Sequence, residues 1–224
     1  MKLSIIVPVF NEATQMPHLL ADLLPLVRHG CEVIIVDGGS VDGSADIAQA
    51  TGFLVLQSAR GRARQMNAGA EMASGDVLLF LHADTQLPQG AAVLIEQAFS
   101  SHAGCWGRFD VCISGQPWML RVVSHCMNWR SRLSGIATGD QAIFVTRSAF
   151  EAVDGFPDQE LMEDIALSNR LGRLSRPACI SRRVTTSGRR WETFGVWRTI
   201  FLMWRLRWHY WRGVPANQLA QAYR

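Results

Sequence analysis

Residues 3–9 form a continuous apolar run, which predicts a strand covered on both faces. Met16, Leu19, Leu20, Leu23, Leu24 and Val27 then recur at helical spacing, predicting a helix with one apolar face that ends near Gly30. The alternation continues with strands over 32–36, 53–56 and 77–81, a short helix over 44–50 and a longer one over 62–73, stopped by Ser74-Gly75. Short apolar strands separated by helices predict an α/β fold, with parallel pairing and helices on both faces of the sheet. The second half is less regular. It predicts helices over 91–99, 118–131 and 160–171, and strands over 106–113, 142–145 and 178–184.

Ligands of such sheets bind beyond the carboxyl ends of the strands. The first strand leads into Asn11 and Glu12. The second opens into Asp37-Gly38-Gly39-Ser40-Val41-Asp42-Gly43-Ser44, the third is followed by Arg60-Gly61-Arg62, and the fourth ends at His82-Ala83-Asp84. No G-x-G-x-x-G follows the first strand, which argues against a dinucleotide site. The Asp-rich tip can accept hydrogen bonds from a uracil or guanine ring and from a ribose hydroxyl, and it equally suits an Asx turn that caps a helix. His82 and Asp84, at i and i+2, are candidate metal ligands. A Mg²⁺ or Mn²⁺ ion on Asp84 would bridge a diphosphate and act as a Lewis acid, and the alternative is a turn carboxylate that caps the next segment.

Composition narrows the chemistry. The 224 residues, 48% hydrophobic, suit one domain with an elaborated C-terminal part. A formal charge of +3 hides a polarity, because twelve arginines and one acid, Glu192, lie from Arg170 onward. That basic stretch points to phosphates or anionic headgroups, and no nucleic-acid module is present. Lys2 is the only lysine, which argues against a P-loop, a pyridoxal Schiff base or a lysine nucleophile. Five scattered cysteines without a C-x-x-C, and a start broken at Pro8 with no long apolar region, are expected of a cytoplasmic protein with reduced thiols.

Taken together these motifs resemble family 2 glycosyltransferases of the GT-A fold, over about residues 3–191. Residues 4–12 are similar to the family's first strand, 37–44 to its D-x-S-x-D-x-T loop, and 60–67 to its G-x-x-x-A-x-N helix start. Leu81-His82-Ala83-Asp84 stands in the place of D-x-D, while Gly139-Asp140-Gln141 and Glu163-Asp164 match the acceptor-side motifs. The resemblance implies an inverting enzyme that moves one sugar from a UDP- or GDP-sugar to an acceptor hydroxyl, with a lipid-linked or lipophilic acceptor in view. It implies Pro8, Glu12, Asp37, Gly39 and Asp42 at the nucleoside, and Arg60, Arg62, Asn67, His82, Ala83, Asp84 and Arg190 along the rest of the nucleotide sugar. It further implies a divalent metal, Mn or Mg, on Asp84 and His82, and Gly139, Asp140, Glu163 and Trp191 at the acceptor. Asp164 is implied as the general base. Glu160, expected on the same helical face, would either raise the pKa of Asp164 or be solvated. The sequence departs from the family at His82, which replaces the first Asp, and at Ser187, which replaces the Gln of Q-x-x-R-W, an element of processive synthases. The competing readings are a sugar-phosphate nucleotidyltransferase, which would ordinarily use a lysine, and a nucleotide-sugar-binding protein with a degenerate metal site.

The expected organisation is a nucleotide-sugar half over 1–100, an acceptor half over 101–192 and an amphipathic helical tail over 193–224. In the tail, Trp197, Phe201, Trp204, Trp208 and Trp211 form one helical stripe, with Arg198, Arg205 and Arg212 repeating beside it. Spanning is disfavoured, since each central arginine costs roughly 2.5–3.5 kcal/mol to insert. The stripe suits a helix lying in a membrane interface on anionic lipid, on the inner face of the plasma membrane, or one packed on its own domain or on a homodimer partner.

Overall fold

The computed structural model describes residues 1–223. Four strands, β1 (Leu3–Val9), β2 (Glu32–Asp37), β3 (Leu54–Gln57) and β4 (Val77–Phe80), pair in parallel in the order β3-β2-β1-β4. They are joined by α1 (Met16–Arg28), α2 (Ser44–Ala50) and α3 (Arg62–Met72). Every residue of β1 is buried, as its apolar run requires. Its period-two alternation feeds two cores. Leu3, Ile5, Val7 and Val9 pack with Met16, Leu19, Leu20 and Leu23 of α1, whereas Ile6 packs with Ala63, Met66 and Ala70 of α3. Gly69 lets α3 approach this closely, because a Cβ there would run into Ile6 and Val36.

The chain continues through β5 (Thr85–Gln86), α4 (Ala91–Ser101), β6 (Trp106–Ile113), α5 (Met119–Ser134), a 3₁₀ turn (Gly139–Gln141), β7 (Phe144–Thr146) and α6 (Arg147–Ala152). After α7 (Glu163–Leu171) and β8 (Ala178–Thr186) come three helices, α8 (Arg189–Phe194), α9 (Val196–Trp211) and α10 (Ala216–Tyr223). The sheet has eight strands in the order β3-β2-β1-β4-β7-β6-β8-β5. β7 runs antiparallel to both β4 and β6, and β5 runs antiparallel to β8, so the sheet is mixed. Arg147 pins the end of β7 by donating to the carbonyls of Ala70, Ala73 and Gly75. These connections bring the 3₁₀ turn and the start of α7 to the edge where β1 and β4 end.

One boundary differs with a consequence. The helix expected from residue 160 begins at Glu163, because Met162 takes a left-handed conformation, φ 64°. Glu160 therefore shares no helix with Asp164, and its charge acts on Arg64. β5 and α6, of two and six residues, are too short for periodicity to reveal. Among the described residues no helix is long and apolar enough to cross a membrane. α9 packs inward through Leu206, with Met162, Ile165 and Leu219.

Candidate active site

The strand ends, the 3₁₀ turn and α7 surround one open cleft of about 1660 Å³. That exceeds the usual ~300–1,000 Å³ of a single small-molecule pocket and leaves room for two substrates. One wall is made by the tips of β1, β3 and β4. The tips of β1 and β2 are laced together: Asn11 N–H donates to Ser40 Oγ (2.9 Å), Glu12 N–H to Ser44 Oγ (2.9 Å) and Ala13 N–H to Asp42 Oδ2 (2.9 Å). Asp37, almost wholly buried, accepts the amides of Gly39 and Ser40. Gln65 locks the base of this wall, its amide donating to the carbonyls of Val9 and Val36, both at 2.8 Å.

Facing it, Glu163 and Asp164 occupy the first turn of α7, where the helix dipole favours negative charge. Asp164 accepts the amides of Gly139 (2.8 Å) and Ile165 (2.7 Å), which fix the orientation of its carboxylate. Burial pushes Asp164 above the usual carboxylate range against those two hydrogen bonds, and the charge of Asp140 adds to the rise. Burial also pushes Glu163 up to about 7, with Asp164 adding to it and Arg62 opposing. Asp140 moves the other way. Burial would raise it, but the hydrogen bond and charge of His82 and the charge of Arg62 hold it below its ordinary value.

His82 is the hinge between the walls. Its Nδ1 lies 3.4 Å from Asp140 Oδ1. Its ring packs so closely on Gly139 that a Cβ at 139 would fall onto the imidazole. Among the described residues no three His, Cys, Asp or Glu side chains converge as a metal cage. His82 is turned to Asp140, and Asp84 accepts one long hydrogen bond, 3.5 Å from Thr85 Oγ1. That donor set suits a cation held by one carboxylate, with phosphate and water oxygens completing its shell.

Thirteen of the expected site residues line the cleft: Pro8, Glu12, Arg60, Arg62, His82, Ala83, Asp84, Gly139, Asp140, Glu163, Asp164, Arg190 and Trp191. Asp37, Gly39, Asp42 and Asn67 do not. The first three belong to the laced loop behind the wall, where Asp42 also accepts from Ser44. Asn67 clamps Phe156, donating to its carbonyl (2.8 Å) and accepting its amide (3.0 Å). Arg190 donates to the Tyr223 carbonyl at 2.6 Å and lies 3.7 Å over the Tyr223 ring. Arg189 reaches Glu12 across the cleft at 3.5 Å. Burial raises the Glu12 carboxyl, Asp84 adds to this, and Arg189 opposes it. The one lysine, Lys2, is bonded to Ser74 and is not part of the lining. Arg130, on α5, also lines the cleft and carries no sequence motif.

The model of glycosyl transferase family 2 matches residues 4–147. The chain belongs to that family. Its sheet and flanking helices are those of GT-A glycosyltransferases. The undecaprenyl-phosphate 4-deoxy-4-formamido-L-arabinose transferase of Pseudomonas aeruginosa is 35% identical over 147 residues, 60% of this chain and 40% of that one. Matches of this kind take in 28–43% of the curated relatives' lengths. Among solved structures, Staphylococcus aureus TarS 1-349 in complex with UDP superposes with a TM-score of 0.68 at 19% identity, covering 84% of this chain and 60% of that one. The Pyrobaculum calidifontis mannosyltransferase PcManGT, in complex with GDP-Man and Mn²⁺, gives 0.61 at 19% identity, covering 82% and 56%. This chain is therefore a glycosyltransferase domain, and its cleft lies at the strand ends where the fold binds its ligands.

Proposed function

We propose that this glycosyltransferase moves a single sugar, with inversion, from a UDP- or GDP-sugar to an acceptor hydroxyl, and that the acceptor is lipid-linked or lipophilic. The observation that carries the reading is Asp164: a carboxylate oriented by two amides, raised by burial, opening on the same cleft as the Asp84 tip. A base poised nearer neutrality takes a hydroxyl proton more effectively. The acceptor oxygen forms its bond to the anomeric carbon as its proton passes to Asp164. The bond to the diphosphate breaks on the opposite face, and its electron pair leaves with the diphosphate.

Residues 1–100 supply the donor side in this reading, and 101–192 the acceptor side. Pro8 and Glu12 lie against the nucleoside. Asp37 and Asp42 hold the loop behind it through the backbone amides they accept. Arg60, Arg62 and Arg190 answer the diphosphate with forked donors. Asp84 would hold the divalent metal, which neutralises charge on the leaving group when bound. His82 is assigned to positioning Asp140 and the Gly139 amide that orients Asp164. Asp140, Glu163 and Trp191 face the acceptor.

The lipophilic acceptor is supported by α9. Trp197, Phe201, Trp204, Trp208 and Trp211 are 55–74% exposed, opposite the face packed through Leu206, so the stripe is left uncovered by its own domain. Arginines 198, 205 and 212 flank it, the arrangement of a helix lying on an anionic membrane surface. The test is transfer from a panel of UDP- and GDP-sugars with Mn²⁺ or Mg²⁺, using wild type and Asp164→Asn. We expect donor binding in both and transfer in the wild type alone. Full transfer by the variant would remove Asp164 from the base role, and no nucleotide-sugar binding by the wild type would remove the reading itself.

A further inference from the structure

One guanidinium in the cleft has buried donors that no described residue accepts. Arg130, in α5, lines the cleft, and its Nε and Nη2 are closed off from solvent without donating to any described residue. A guanidinium is always charged and has only donors to offer. Buried donors without an acceptor are costly, so an unanswered pair calls for a reason. Nearby arginines are paired, though Arg108 Nε is likewise without an acceptor among the described residues. Arg108 is met by Asp110 and the Asn128 carbonyl, and Arg132 makes a forked contact with both oxygens of Asp110. Asp110 is thereby used up. Asp164 is the acid whose charge acts on Arg130, but among the described residues no hydrogen bond or ion pair joins the two.

Two helices also line the cleft with apolar side chains. α5 lines the cleft with Val122, Cys126 and Trp129, and α9 lines it with Ile200, Met203 and Trp204. Along α5 and its N-cap residue Trp118, the side chains of Trp118, Val122, Trp129 and Leu133 fall at i, i+4, i+11 and i+15, an exposed stripe on one face. The cleft is thus bordered by apolar side chains of α5 and α9, and the same cleft holds the Arg130 guanidinium and the base. An acceptor fitting all three features has a hydrocarbon chain, then an anion, then a hydroxyl.

We propose that Arg130 holds the phosphate of an amphiphilic acceptor, whose hydrocarbon chain lies in the trough between α5 and α9 and whose headgroup hydroxyl reaches Asp164. To do so the guanidinium turns from its closed position into the cleft, exchanging unanswered donors for phosphate oxygens. The proposal rests on the donor and base assignments above and names the chemistry of the acceptor those assignments leave open.

The test titrates the full chain, saturated with UDP, against three probes below their micelle concentrations, followed by tryptophan fluorescence and calorimetry. Lysophosphatidylglycerol carries chain, phosphate and hydroxyl; dodecyl maltoside carries chain and hydroxyls; glycerol 3-phosphate carries phosphate and hydroxyls. We expect lysophosphatidylglycerol to bind at least tenfold tighter than either of the others. Arg130→Ala should reduce it to the dodecyl maltoside level, and Arg130→Lys should keep an intermediate affinity. Met203→Glu should weaken lysophosphatidylglycerol while leaving glycerol 3-phosphate unchanged. Unchanged binding in Arg130→Ala would overturn the proposal. Equal affinity for glycerol 3-phosphate and lysophosphatidylglycerol would overturn it in favour of a small phosphorylated acceptor. Should Arg130→Ala not fold, the lysine and Met203 variants decide. A separate UDP titration of the same proteins reports on the nucleotide-sugar reading, so the two can fail independently.

Discussion

Glu163 carries a charge that the fold resists, and removing it should make the protein more stable. The side chain is 5% exposed, sits beside Asp164, and has its carboxyl raised from 4.5 to about 7. At ~1.4 kcal/mol per pH unit, the difference of roughly 2.5 amounts to about 3 kcal/mol. Between pH 4.5 and 7 the folded chain binds a proton that the unfolded chain has released. Stability therefore falls as the pH rises through this window, and the full penalty is present above pH 7. Glu163→Gln removes the ionisation but keeps the shape. Urea unfolding should show wild type and variant nearly equal near pH 4.5, with the variant more stable by up to about 3 kcal/mol at pH 8. Because Glu163 and Asp164 titrate as a pair, the wild-type curve should be broader than that of one group. The reasoning is refuted if the variant keeps the wild-type slope, or is the less stable protein at pH 8.

Other perturbations separate positioning from contact. Gly139→Ala should push the His82 imidazole off the turn and away from Asp140, lowering transfer at least tenfold with the far-UV circular dichroism unchanged; adding His82→Ala should recover lost thermal stability, and failure to do so would refute the clash. Asn67→Ala leaves the Phe156 amide unanswered, so it should cost about 1–3 kcal/mol in denaturant midpoint while nucleotide affinity stays constant; a variant that loses donor affinity at full stability would restore Asn67 to the site. Replacing Trp204 and Trp208 by serine should reduce co-sedimentation with vesicles rich in anionic phospholipid, and added salt should weaken the wild type's binding. Equal sedimentation of both proteins would show that the stripe does not dock there.

The first half of the fold was legible because each strand is an uninterrupted apolar run and each helix carries one apolar face. β1 and α1 lie where the pattern put them. The cleft was legible where it is built from strand tips, which carry Glu12 and Asp84, whereas Asp164, on the first turn of α7, stood out only through the Glu163-Asp164 motif. The role of Asn67 was not, because its partner is a backbone group 89 residues away. The start of α7 was not either. Glu160 to Leu171 reads as one helix until the left-handed Met162 breaks it, and nothing in a methionine announces positive φ. The spacing of Trp118, Val122, Trp129 and Leu133 was present in the sequence, but an exposed stripe and a buried one look alike until the rest of the chain is placed.

The contact between Glu12 and Arg189 joins positions 177 residues apart. Strands β1–β4 can pair as soon as the first eighty residues are available, since their contacts are comparatively local. The closed cleft needs β8 and α8 delivered to the tip of β1, which carries a long loop-closure cost and comes late in synthesis. A chain still emerging from a ribosome thus acquires the wall at its strand tips well before it acquires the complete cleft.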